Sequence, residues 1–379
     1  MSEDYNENLA REIQEEEQLD ISIERVEKIP SPLLVIGLGG TGASIVHTIK
    51  KTFAQRFELP RDEKGNLIPI PRQTAYLEID TDHKSKGSLA DDEYVDISVE
   101  GIDAILDPKK RDYNLQDYER QWVNKQLNAS SSGMGAGTYR QSARFQLSRK
   151  YAKVEGAIQT ALTKVTRVSH GNTGMQGRVE IVIATGICGG TGSGTFLDVP
   201  QIVRKCMEEG SLAGQDYRIT GYIVMPDVSL SVPSIQNDPA LTRQLSMNGY
   251  AALKELDFWQ NIAAHETPFT ANLNGTKIVW KRAPYDACVL MSSKTVDGTL
   301  FNKGADVVQN TIAENLLHYL ANEAPSASSN GQATYTYISH ENNLVAAVNN
   351  MKKRLPPVLR LPGHRRLHQA HPQEKGAVL

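Results

Sequence analysis

The chain has 379 residues, of which 40% are apolar and 22% charged, and its 44 acidic and 41 basic side chains leave a formal charge of -3 at pH 7. That length suits one large or two ordinary domains, and the near balance of charge removes the overall basic field on which nucleic-acid binding by charge alone depends. Three cysteines without metal-ligand or Cys-x-x-Cys spacing, no apolar run of membrane-spanning length and an acidic, polar start without a signal-peptide pattern point to a cytoplasmic protein with reduced, buried thiols.

Residues 1–30 carry Glu15-Glu16-Glu17 and lead into Pro30-Ser31-Pro32, the pattern of an acidic, partly helical arm that stops where the first core strand begins. From there to residue 208, apolar strands alternate with helical patterns, which predicts a Rossmann-like, mainly parallel sheet with helices on both faces. The strand Leu33-Leu34-Val35-Ile36 runs into Gly37-Leu38-Gly39-Gly40-Thr41-Gly42 and then into a helix through Ser44 and Ile49. Gly37, Gly39 and Gly42 alone fit a dinucleotide-binding fingerprint, which expects an acidic residue about twenty positions on. The next strand is Thr74 to Ile79, and its terminal Asp80 lies well past that spacing. The insert from Asp82 to Gln126 holds a strand-like Tyr94 to Val99 and a helical Leu115 to Leu127.

A second glycine loop, Ser130 to Thr138 with Gly133, Gly135, Ala136 and Gly137, opens a long helix from Tyr139 to about Val168 whose apolar face runs from Ala143 to Val165. A third follows the apolar strand Val179 to Ala184: Gly186-Ile187-Cys188-Gly189-Gly190-Thr191-Gly192-Ser193-Gly194 precedes a helical pattern through Lys205. Glycines here leave the backbone free to take positive φ and to approach an anion, while Thr191 and Ser193 offer hydroxyl donors. Three loops that each feed a helix imply one polyphosphate held from several sides, where a dinucleotide needs only the first. Neither strand-borne loop ends in Gly-Lys-Ser/Thr, which argues against a P-loop NTPase and leaves phosphate charge to Mg²⁺ and helix dipoles. Further on, Tyr217 to Met225 reads as a strand, Ala240 to Ile262 as a helix, Thr276 to Lys281 as an edge hairpin, Ala287 to Ser293 as a strand and Phe301 to Ala321 as a long helix.

Gly189 to Gly194 resembles the signature loop of the tubulin/FtsZ superfamily, with Cys188 where a small residue is usual. Gly37 to Ser44 is similar to its first nucleotide loop, Ile79-Asp80-Thr81-Asp82 to its second and Gly133 to Gly137 to the FtsZ-type loop that faces the γ-phosphate, in the family's order. Arg243 in Thr242-Arg243-Gln244-Leu245, the strand ending at Ser293 and the helix bearing Asp306 resemble the base-binding part and central helix of FtsZ; bacterial tubulin-like proteins are the nearest in pattern.

The resemblance implies a GTP-binding domain over residues 31–323. It places GTP or GDP with Mg²⁺ against Gly37, Gly39, Gly40, Thr41, Gly42, Ser44, Asp80, Asp82, Gly135, Ala136, Gly137, Thr138, Gly189, Gly190, Thr191, Gly192, Ser193 and Gly194. Asp306 would accept from N1 and N2 of guanine, and Arg243 would reach base or ribose. It also implies head-to-tail self-association, with a carboxylate of the neighbouring subunit positioning water for hydrolysis. The family pattern fails over residues 324–379, which read as a linker at Ala324 to Gly331, a short irregular segment and a basic tail from Lys352 with His364, His368 and His371. No hydrolytic acid can be carried over, the second domain of the family is absent or incomplete, and the tail lacks the interleaved aromatics of a nucleic-acid surface. An NAD(P)- or adenylate-binding Rossmann enzyme and a non-catalytic nucleotide-gated module remain as alternatives.

Overall fold

The computed structural model describes residues 32–56, 74–107, 109, 114–124, 127, 135–169, 178–262, 268–294, 301, 303–322 and 358–359. The acidic arm, the linker and nearly all of the basic tail lie outside them, as does Gly133. In chain order the main elements are β1 (Leu33–Leu38), α1 (Gly39–Arg56), β2 (Thr74–Asp80), β3 (Tyr94–Asp96), α2 (Arg140–Arg149) and α3 (Tyr151–Ser169). They continue with β4 (Val179–Gly186), α4 (Thr191–Thr195), α5 (Asp198–Glu208), β5 (Tyr217–Val224) and α6 (Pro239–Gln260). Last come β6 (Phe269–Leu273), β7 (Thr276–Trp280), β8 (Ala287–Met291), α7 (Gly304–Asn322) and the short β9 (Val358–Leu359).

β1 is apolar at every side-chain-bearing position because both of its faces are covered, which is what a parallel sheet between two helix layers requires. Leu34, Ile36 and Leu38 face a layer built on α3, α5 and α6 through Val154, Ile158, Ile202, Ala252 and Leu256. Leu33 and Val35 face the opposite layer of α1 and α7, with Ile45, Val46, Ile49, Val308, Ile312 and Leu316. Each such side chain removed from water contributes roughly 1.5–3 kcal/mol before the entropy of ordering is set against it.

The sheet runs β3-β2-β1-β4-β5-β8-β9, parallel throughout except for β9, which pairs antiparallel with β8. From β1 the chain builds outward through β2 and β3, then returns to the other side of β1 as β4. The crevice beyond the C-terminal ends of β1 and β4 is therefore the topological switch point, where open α/β sheets bind ligands. Leu38 is level with Thr185, so the two strand-borne glycine loops leave the sheet side by side.

Four expected elements differ. The helix from Tyr139 breaks at Lys150 (φ -101°, ψ 16°) into α2 and α3, although Ala143, Leu147, Val154, Ile158 and Val165 are all buried as the periodicity predicts. The helix expected over Leu115 to Leu127 shrinks to Asp117–Arg120. Gln141 of α2 takes the Asn124 N–H (3.0 Å) and donates to the Trp122 carbonyl (2.7 Å), removing groups a continuing helix needs. β3 stops at Asp96, whose carboxylate accepts the Ser98 N–H at 2.7 Å, while Gln146 takes the Val99 N–H at 3.1 Å. β6 and β7 form a hairpin sheet of their own instead of an edge of the main one, held by ring contacts among Trp259, Phe269 and Trp280. Cys188, Cys206 and Cys288 are free and buried, and among the described residues no helix is long and apolar enough to cross a membrane.

Candidate functional site

α1 starts inside the first glycine loop, at Gly39, earlier than the apolar periodicity suggests. Gly39 takes φ +66°, and a side chain there would strike the Gly192 backbone nitrogen, so the first loop is pressed against the third. The third loop answers in kind: a Cβ on Gly192 would lie 2.6 Å from the Gly186 carbonyl and the Thr185 hydroxyl, and one on Gly42 would lie 2.5 Å from the Ala184 carbonyl. Gly190 abuts Ala136 and Gly137, and Gly194 abuts the Arg140 carbonyl. Positive φ was the expected use of these glycines, yet none between Gly186 and Gly194 adopts it; they serve close approach of backbones instead. Gly135 (φ +79°) and Gly137 (φ +57°) do use it.

Two glycines stand apart. Around Gly40 and Gly189 the space a Cβ would take is open, in contrast to the closely packed glycines of the same loops. The first turn of α1 holds no acidic residue, and its N–H groups and dipole are left for an anion. No Lys or Arg occurs in Gly37 to Ser44 or Cys188 to Gly194. These loops thus offer an anion only neutral donors, which suits a phosphate whose charge is shared with a cation.

The hydroxyls expected to point at that anion are engaged with the protein. Thr191 Oγ1 lies 2.7 Å from Thr81 Oγ1 in a buried pair, Ser193 Oγ donates to the Gly189 carbonyl, and Ser44 Oγ donates to the Gly40 carbonyl at 3.0 Å. Asp80 is buried and its Oδ1 accepts the amides of Thr81 (2.6 Å) and Asp82 (3.3 Å). Burial pushes its carboxyl up, and those amides and the Thr191 hydroxyl pull it back. Asp80 stands at the tip of β2, where a dinucleotide fold keeps its ribose acid, but here it ties down the Thr81-Asp82 turn. Asp82 is half-buried and accepts the Lys84 N–H at 3.0 Å. The Thr81 carbonyl in turn accepts the Gly135 N–H at 3.2 Å, which brings the β2 turn and the Gly135–Thr138 loop together.

Arg243 on α6 and Asp306 in the first turn of α7 are both exposed. α7 is joined to α1 through Thr48 Oγ1 and Gln309 Oε1 at 3.3 Å. Residues that sequence reasoning passed over do more of the positioning. Asn248 of α6, 7% exposed, donates to the carbonyls of Thr138 (2.8 Å) and Cys188 (2.9 Å). Seven residues on, Glu255 holds Arg140, whose guanidinium donates to the Ser193 carbonyl at 3.0 and 3.2 Å. The available signal was the polar pair Gln244 and Asn248 one helical turn apart beside the apolar Leu245, Ala252 and Leu256. The fold brings His47 Nε2 to 3.5 Å from Glu78 Oε2, and His83 Nδ1 to 2.7 Å from Asp96. Glu78 is wholly buried without a hydrogen bond of normal geometry, and burial pushes its carboxyl above the usual carboxylate range, Ser85 and His47 opposing and Asp80 adding to the rise.

A family model described as tubulin like matches residues 34–354. The chain belongs to that tubulin-like family. Solved structures to which this tubulin-like chain is similar include CetZ2 from Haloferax volcanii in a GTPγS-bound protofilament, at 15% identity and a TM-score of 0.42, covering 78% of this chain and 60% of that one. Clostridium botulinum phage c-st TubZ matches at 12% identity and a TM-score of 0.40 over 77% of this chain and 61% of that one. An FtsZ variant from M. jannaschii matches at 14% identity and 0.40 over 89% and 67%. The chain thus spans about three-fifths of the length of the CetZ2 and TubZ chains. No curated protein sequence matches it significantly. The tubulin/FtsZ-type α/β fold expected from the glycine loops is the fold observed.

Proposed function

We propose that this tubulin-like domain binds a guanine nucleotide and hydrolyses it slowly or in step with head-to-tail self-association, in a cytoskeletal or scaffold role. The observation that carries the reading is the close packing of the glycine loops on one another at the β1/β4 switch point, with Gly39, Gly42, Gly190 and Gly192 leaving no room for a side chain and Gly40 and Gly189 left open. Backbone amides of the first turn of α1, of Gly135 to Thr138 and of Gly189 to Gly194 would hold the phosphates. Among the described residues no group of three metal-ligating side chains exists, so Mg²⁺ would sit chiefly on phosphate oxygens and water, with Asp82 as the half-buried carboxylate beside the third wall. When bound, the ion and the triphosphate supply the anhydride chemistry; this chain's part is to align them and to exclude side chains from the phosphate path.

Nucleotide released by denaturing the purified protein is expected to be GDP or GTP, and titration is expected to show GTP binding without NADH binding. Tight NADH binding without GTP would overturn the reading in favour of a Rossmann enzyme. Asp306→Ala is expected to lower GTP affinity about tenfold and leave ATP unchanged, as loss of a guanine-reading hydrogen bond requires. Phosphate release per subunit that rises with protein concentration would mark an assembly-coupled GTPase, and binding without turnover a nucleotide-gated module.

A further inference from the structure

We infer that Asn248 is a positioning residue that staples the Gly135–Thr138 loop to the Cys188–Gly189 turn, so that the two present their amides to one anion; this rests on the nucleotide-binding reading. One side-chain amide nitrogen donates to both the Thr138 carbonyl at 2.8 Å and the Cys188 carbonyl at 2.9 Å. Two carbonyls at this distance fix which end of the amide is nitrogen, because the oxygen would be repelled by both. The oxygen end is oriented in its turn by Gln244 Nε2 at 3.2 Å. The two accepting residues belong to different loops fifty residues apart in sequence, and each stands next to a glycine of its loop: Thr138 after Gly137, Cys188 before Gly189.

No other described contact joins these two carbonyls to a common donor. Gly190 packs against Gly137 by shape alone, with a Cβ there meeting the Gly137 carbonyl at 2.4 Å, and shape contact resists compression but not separation. Asn248 supplies the resistance to separation. Its neighbours on α6 explain why the helix can do this: Leu245, Ala252 and Leu256 are buried on the same side, so the polar pair is delivered from a rigid, packed element. The hydrogen-bonded Arg140 and Glu255 hold the following helix, α2, from the same α6 face two turns on.

The staple acts on the loops that would face phosphate and not on a nucleoside, so its removal has a signature that general loosening lacks. Asn248→Ala and Gln244→Ala are to be titrated, beside the wild type, with guanosine, GMP, GDP and GTP in Mg²⁺, with urea unfolding run in parallel. Asn248→Ala is expected to weaken GTP about tenfold, GMP less and guanosine not at all, while Gln244→Ala, which only frees the amide to rotate, weakens GTP about threefold. Equal GTP affinity in the wild type and Asn248→Ala overturns the inference and leaves nucleotide binding intact, as does an equal loss for guanosine and GTP. A wild type that binds none of the four overturns the nucleotide reading itself. Should Asn248→Ala fail to fold, the Gln244→Ala series decides: a loss that does not grow with phosphate number overturns the staple.

Discussion

Gly189 and Gly192 lie three positions apart in one loop and meet opposite surroundings. Gly192 is closed in by the Gly186 carbonyl, the Thr185 hydroxyl and the Leu38 carbonyl, all within 3.0 Å of where its Cβ would be, whereas Gly189 looks into open space. The same contrast divides two carboxylates of β2: Asp80 is bonded to the amides of its own turn, and Glu78 is buried with neither oxygen bonded. A glycine or a carboxylate in a motif therefore does not declare its purpose. What it touches decides whether it builds the fold or is left over for something else.

The largest expected effect is on the packed side. Gly192→Ala must displace strand-tip backbone, and overpacking of this kind is expected to cost about 3 kcal/mol in urea unfolding, irrespective of any ligand. A loss under about 0.5 kcal/mol would mean that Gly192 is not closed in as described. Gly189→Ala is the counterpart: unfolding stability within about 0.5 kcal/mol of wild type, with GTP affinity lowered about tenfold because the methyl enters the open space beside the loop. Gly40→Ala sharpens it further, since alanine near the start of α1 is expected to stabilise the helix by about 0.5 kcal/mol while weakening the same ligand. A variant that gains stability and loses affinity separates the two uses of glycine within one loop.

Glu78→Gln tests the carboxylate half of the comparison. A carboxyl whose folded-state pKa is raised makes its favourable contribution at low pH and loses it as pH rises through that pKa. The variant is therefore expected to be more stable than wild type at neutral and alkaline pH, with the gain vanishing below the ordinary carboxylate range. Thermal unfolding of both proteins from pH 4 to pH 8 checks it. A gain that does not change with pH would show that folding does not raise the Glu78 carboxyl.

The strands and the three loops were legible in the sequence because apolar runs covered on both faces and glycine-to-helix junctions are local patterns. Leu33 to Leu38, Val179 to Gly186 and the buried face from Ala143 to Val165 needed no partner to be recognised. What failed was decided by tertiary contact. The helix expected over Leu115 to Leu127 yields to Gln141, and the strand to Val99 yields to Gln146, both side chains of α2 that no window of the sequence brings near. Asn248 and Arg140 were invisible for the same reason: each acts on carbonyls of a distant loop, and an Asn or Arg on a helix carries no local mark of its acceptor. The hydroxyls of Thr191 and Ser193 were legible as donors, but their acceptors were not.

The smallest expected change in ligand affinity lies in the wall between the β2 turn and the third loop, where the hydroxyls of Thr81 and Thr191 pair at 2.7 Å out of water. Removing Thr191 leaves the Thr81 hydroxyl buried without this partner, at a cost of about 1–2 kcal/mol, whereas removing Thr81 leaves the Thr191 hydroxyl with Asp80. Removing both together leaves two apolar groups of similar shape facing each other, so Thr81→Val with Thr191→Val is expected to cost less than the sum of the singles, by about 1 kcal/mol. Urea unfolding of the four proteins gives that coupling directly. Ligand affinity adds the sharper reading: if these hydroxyls serve the wall and not the anion, the double variant keeps GTP affinity within about twofold. A drop of tenfold or more in the double variant, with stability nearly restored, would move Thr191 from the packed side of the comparison to the open one and return its hydroxyl to the phosphate.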